Sequence, residues 1–171
     1  MSIWRRNSRS VSIRCSESAS GTAKGWWSVM KRLKPLCLFA IGGALYIAVE
    51  VIWRALVGSH PTHWSMFIVG GVAFLLVGAI NEYLPWDTPF WRQMLIGDAI
   101  ILAVEFIFGC ILNIWLKLGV WDYSNMPFNL LGQICLPFAV AWLALAAVAI
   151  VLDDYLRYWL FGEEKPRYRW K

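Results

Sequence analysis

The sequence predicts an all-α integral membrane protein with four transmembrane helices arranged as two parallel two-helix repeats, plus a cytoplasmic interfacial helix extension at the C-terminus. Three observations carry this. The 171-residue chain is 59% hydrophobic and only 16% charged, with mean hydropathy +0.54, far from the balance of a water-soluble domain. Four apolar runs, over residues 35–57, 64–83, 93–118 and 129–152, each reach the roughly 20 residues needed to cross a hydrocarbon core. An internal similarity relates the first run to the third. The expected organisation is a disordered basic segment over residues 1–34, a membrane domain over 35–161 (repeat 1 about 36–83, repeat 2 about 91–152), and a charged tail over 162–171.

Residues 1–34 are Ser- and Arg-rich, hold Glu17 as their single acid and show no apolar periodicity, which predicts disorder. The composition also fits an organellar transit peptide. Met30-Lys31-Arg32-Leu33-Lys34 would itself make a compact start for a bacterial membrane protein, so residues 1–29 are expected to be dispensable or a misassigned start. Lys and Arg crowd this segment and the tail. Arg92 lies in the middle loop, and only Arg54 and Lys117 lie toward the other side. This asymmetry predicts cytoplasmic termini. The net charge of +5 is then a topology signal and gives no stripe for nucleic acid.

In the first span, Gly43, Glu50 and Arg54 fall within about 40° of one another on a helix. Glu50 and Arg54 also have the i, i+4 spacing of an intrahelical ion pair. The pair either neutralises itself near the outer interface while the glycines admit another helix, or belongs to a functional polar site. The turn S-H-P-T-H follows, with Thr62 as an N-cap for the second span. His60 and His63, lacking a third ligand nearby in sequence, read as solvated turn residues. Gly70, Gly71 and Gly78 mark helix contacts.

The turn L-P-W-D-T-P-F-W breaks helix and anchors at the headgroup level. In the third span Asp98, Glu105 and Gly109 share a face within about 40°, with Asn113 about 40° further round, a polar stripe through an apolar helix. The outer loop places Trp121, Asp122 and Tyr123 at the interface, and Asn129 can cap the fourth span. Pro137, inside that span, removes a donor, so the Gln133 carbonyl must find another partner and the helix bends. The run D-D-Y-L-R-Y-W-L-F after Leu152 suits an amphipathic helix in the interface. The four cysteines lack metal-site spacing; Cys110 and Cys135 are small packing residues, with one pairing between them left open.

I-G-G-A-L-Y-I-A-V-E-V-I from Ile41 aligns without gaps to I-G-D-A-I-I-L-A-V-E-F-I from Ile96, with seven identities in twelve positions. Duplication explains this better than chance likeness of apolar helices. With two spans per unit the copies must be parallel. Glu50 and Glu105 become equivalent, possible partners across the pseudo-axis that could not both ionise easily. Arg54 corresponds to Gly109, so one copy can supply a guanidinium into room left by the other.

The run E-F-I-F-G-C-I-L-N from Glu105, V-W-D-Y-S-N-M-P-F-N-L-L-G-Q-I-C from Val120, G-G-A-L-Y-I-A-V-E-V-I-W-R from Gly42 and T-H-W-S-M-F-I-V-G-G from Thr62 resemble the putative ABC-transporter type IV family, small bacterial proteins labelled "putative ABC transporter permease". The resemblance covers about residues 38–145. It implies a multi-pass protein of the bacterial cytoplasmic (inner) membrane. The chain lacks G-x-x-x-x-G-K-[ST], so ATP hydrolysis would come from a separate ATPase subunit. Four spans are few for a translocation path, so a homo-oligomer is expected if one exists.

The functional expectation is a permease-like transport component in which Glu50, Arg54, Asp98, Glu105, Asn113 and Gln133 line an intramembrane polar pocket for an ion or small molecule the sequence does not name. The alternative is a scaffold or regulator in which the same residues only lock helix packing. No Ser-His-Asp, H-E-x-x-H or Cys-His arrangement is evident, so no catalytic residue, metal or cofactor is assigned and an enzyme is not expected.

Overall fold

The computed structural model describes residues 8–58 and 61–170, with side chains at Val29 and from Arg32 onward. The chain divides into two compact units, Met1–Lys34 and Pro35–Lys171. Helix α1 is assigned over Ser8–Val57, then α2 (Ser65–Gly78), the single turn α3 (Ile80–Tyr83), α4 (Phe90–Gly109) and α5 (Leu136–Phe161). In the first unit, the backbone from Ser8 is helical where disorder was expected. His60 and residues 1–7 lie outside the described residues.

Among the described residues, four helical stretches are long and apolar enough to cross a membrane: Arg32–Val57, Ser65–Tyr83, Phe90–Trp115 and Leu136–Phe161. The first two interlock through glycine. Phe74 and Phe67 of α2 sit where side chains at Gly42 and Gly43 would be, and Tyr46 and Phe39 of α1 occupy the same place over Gly70 and Gly71. Lipid tails are as apolar as leucine, so close packing of this kind, not the hydrophobic effect, draws spans together. Around the seam a core forms from Val69, Ala73, Val77, Ile101, Val104, Trp142, Ala146 and Ile150.

Three boundaries differ from expectation. The third span ends in a π-helical turn, Cys110–Trp115. The fourth begins at Leu136, not 129, because residues 129–135 form a small antiparallel hairpin of β1 (Asn129–Leu130) and β2 (Ile134–Cys135). Pro137 therefore occupies the first turn of α5, where its missing N–H costs nothing, and it bends no helix. Thr62 does not cap α2: its hydroxyl is buried without a partner, while the Ser65 amide donates to His63 Nδ1 at 3.3 Å.

The loop after α3 and the C-terminal tail lie at one end of the bundle, called here the tail end, and the hairpin lies at the other. At the tail end the Phe90 amide donates to the Arg169 carbonyl at 2.7 Å, and the Phe90 ring packs on Tyr168 and Trp170.

Candidate functional site

The W-D-Y-S-N-M-P-F-N-L-L-G-Q run builds its own scaffold at the hairpin end. Asp122 accepts the amide and hydroxyl of Ser124, and these bonds, the hydroxyl first, hold its exposed carboxyl below the ordinary aspartate range. Asn129, rather than capping α5, donates to the carbonyls of Ser124 and Met126 and accepts the Gly132 amide. Gly132 adopts φ +68° beneath the Tyr123 amide, a left-handed conformation that favours glycine.

This loop is fastened to the bundle by polar side chains. The Trp121 indole donates to the Gln133 carbonyl at 2.9 Å, which gives that oxygen its partner although no helix surrounds it. Asn113 donates to Gln133 Oε1 at 2.8 Å and accepts the Val120 amide at 2.7 Å, while Arg54 reaches the Val120 carbonyl at 3.0 Å. Gly109 makes room for this: a Cβ there would lie 2.6 Å from Gln133 Oε1. The space opposite Gly109 is thus filled by Gln133, and the expected reach of Arg54 into it does not occur. Arg54 instead pairs with Glu50 at 2.7 Å.

Glu105 is 3% exposed. Its Oε1 accepts the Tyr46 hydroxyl of α1 at 2.9 Å, and its Oε2 accepts the Trp142 indole N–H of α5 at 2.8 Å. Two donors from two other helices thus satisfy both oxygens, which is what holds a polar side chain inside the apolar bundle. Glu50 and Glu105 do not pair: each is engaged by its own partners.

Between these groups lies a cavity of about 670 Å³, in the usual size range of small-molecule sites. Glu50, Arg54, Trp121, Asp122 and Tyr123 line it, as do Trp53, His63, Phe138 and Trp142. Of the six residues expected to line an intramembrane pocket, Glu50 and Arg54 face it and the other four do not. Glu105 stands behind Trp142, Asn113 and Gln133 behind Trp121. Asp98 joins none of these bonds, and one of its oxygens is buried without a partner. Burial, and then the charges of Glu105 and Glu50, push the Tyr123 phenol above its ordinary value, so its hydroxyl stays protonated. Among the described residues, no group of three or more His, Cys, Asp or Glu is placed to hold a metal ion, and Cys110 and Cys135 are free.

Sequence reasoning missed the tail end. Asp153, Asp154 and Arg157 are buried, so the run after Leu152 turns a charged face inward and is not simply an amphipathic surface helix. Arg157 pairs with Asp153 and with Glu82 of α3. Asp154 accepts Asn81 at 2.6 Å and the Tyr168 hydroxyl at 2.8 Å. Asp153 lies against Gly78, next to the break between α2 and α3. The i, i+4 spacing of Asp153 and Arg157, set against Asn81-Glu82 at the end of the second span, was the available signal. Tyr46 and Trp142 carried none, because each reads as an ordinary aromatic in an apolar helix.

Four apolar spans with polar side chains turned inward define a multi-pass membrane protein. The family described as "Putative ABC-transporter type IV" matches residues 37–158, and the chain belongs to it. No solved structure matches the chain.

Proposed function

We propose that the protein is a permease-like component of a bacterial inner-membrane transport system, with a polar site in the half of the bundle bounded by the 120–135 loop. The observation that carries this is the Glu105 node. A buried carboxylate held by Tyr46 of α1 and Trp142 of α5 lies directly behind the wall of the cavity that Glu50 and Arg54 line. An ionisable residue inside a span, adjoining a cavity, is the usual mark of a substrate or proton path. The lysine and arginine asymmetry supports cytoplasmic termini and an outer position for the 120–135 loop. The family's description supports a separate ATPase subunit, which would engage the tail end, and a homo-oligomer would widen the translocation path. No enzymatic activity is assigned.

Two parallel repeats fit the packing. Gly42 admits Phe74 of α2, and its repeat equivalent Gly97 lies against Ala146 and Ile150 of α5 and also Ile80 of α3, so each glycine meets the second helix of its own repeat.

Substituting Glu105 by Gln, with growth or uptake as readout, tests the transport role. Loss of function with normal expression supports it, and full function removes the carboxylate from the mechanism. The packing-lock alternative draws on the same bonds, since two donors from two other helices also fasten the bundle. On that reading Glu105→Gln lowers thermal stability in detergent and changes no ligand response.

A further inference from the structure

We propose, building on the reading of this cavity as a binding site, that its ligand is an amphiphile with an ammonium head, whose chain lies in the apolar groove between α1, α2 and α5. The cavity near Glu50 and a second space of about 160 Å³ share three wall residues, Val49, Trp142 and Leu145. The first is polar at one side and aromatic elsewhere. The second, walled by Gly42, Gly70, Ala73 and Ala149 among others, offers almost nothing but carbon. A polar compartment adjoining an apolar one across a shared wall is the shape of an amphiphile: the apolar compartment lies on the spans, and the 118–126 loop closes one side of the polar one.

The head chemistry follows from the walls. Trp53, Trp121, Tyr123, Phe138 and Trp142 contribute rings to its wall, with Tyr123 and Phe138 stacked on each other at 4.7 Å, and an aromatic wall attracts organic cations. Glu50 and Arg54 cancel as a pair, which leaves Asp122 to set the sign of the site. Its bonds to Ser124 keep it ionised at neutral pH. The cavity is much roomier than a bare metal ion needs, and no metal-ligating cluster is present among the described residues. An ammonium carrying alkyl groups suits both its size and its rings.

The test is a fluorescence titration of the full-length protein in nanodiscs of zwitterionic lipid, with dodecyltrimethylammonium, tetramethylammonium and dodecyl sulfate as probes. Dodecyltrimethylammonium is expected to bind saturably and at least about tenfold more tightly than tetramethylammonium, since each buried methylene adds to affinity. Dodecyl sulfate is expected to give no saturable signal. Asp122→Asn should weaken both cations severalfold. Ala149→Phe, which fills the groove, should remove the advantage of the long chain and leave tetramethylammonium unchanged. A series of alkyltrimethylammonium ions of rising chain length needs no variant, and a flat dependence would overturn the chain compartment. Equal binding of dodecyl sulfate would overturn the ammonium head. If neither cation saturates while Glu105→Gln still abolishes uptake, this inference fails and the transport reading stands.

Discussion

Trp142 donates its indole N–H to Glu105 at 2.8 Å, joining α5 to α4 through two buried side chains. The Tyr46 hydroxyl completes the carboxylate from α1, so one side chain links three spans. Trp142→Phe keeps the ring and deletes the donor. It is expected to cost about 1–3 kcal/mol, the usual penalty for an orphaned buried acceptor, read as a lower midpoint of unfolding in detergent. An unchanged midpoint would mean that the bond contributes nothing.

Gly109 and Gln133 are expected to be coupled. Gly109→Ala forces a methyl group against Gln133 Oε1 and should destabilise by about 1–3 kcal/mol through overpacking. In a Gln133→Ala background part of that cost should vanish, because the amide is gone while its Cβ remains. A double-mutant cycle measures the difference, and strict additivity would contradict the contact.

Arg157 pairs with Asp153, which is fully buried, and with Glu82, which is half exposed. Arg157→Met leaves a buried carboxylate uncompensated, at a cost of about 3–5 kcal/mol. Adding Asp153→Asn should restore much of the loss, since the uncompensated charge is the source of the penalty. Arg157→Lys is expected to rescue poorly, because an ammonium lacks the fork that serves two carboxylates at once.

The tail should loosen in alkali. Burial first, and then the bond to Asp154, push the Tyr168 phenol above its ordinary 10.0. A folded value above the unfolded one means that the stabilisation is complete below pH 10.0 and is lost as pH rises past it. The unfolding midpoint should therefore hold from pH 8 to about 9.5 and fall as pH rises beyond about 10. Tyr168→Phe should be less stable at pH 8 and lack this component of the fall.

Orientation is open to direct labelling. Asp122→Cys is expected to react with an impermeant maleimide in intact cells, and Arg169→Cys only after permeabilisation, in a background with the native cysteines replaced. The reverse pattern would invert the topology inferred from lysine and arginine placement.

The four spans, the helix-contact glycines, the Glu50–Arg54 pair and the family were all legible in the sequence. Hydropathy is a local sum over about 20 residues, and a pair at i, i+4 is fixed by helix geometry alone. The W-D-Y-S to G-Q motif was recognisable too, but its meaning was not: Asn129 and Gln133 read as the start of a helix and belong to a hairpin whose bonds run back to Ser124 and Met126 and across to Asn113.

Only the tertiary structure decided which polar groups meet. Tyr46 and Glu105 are 59 residues apart, and Glu82 and Arg157 are 75 apart. No periodicity within one helix encodes the rotation and depth at which it meets another. Those are set by packing, here by aromatic rings entering glycine gaps, and they decided that Glu105 would rest against Tyr46 and Trp142 while Glu50 kept Arg54.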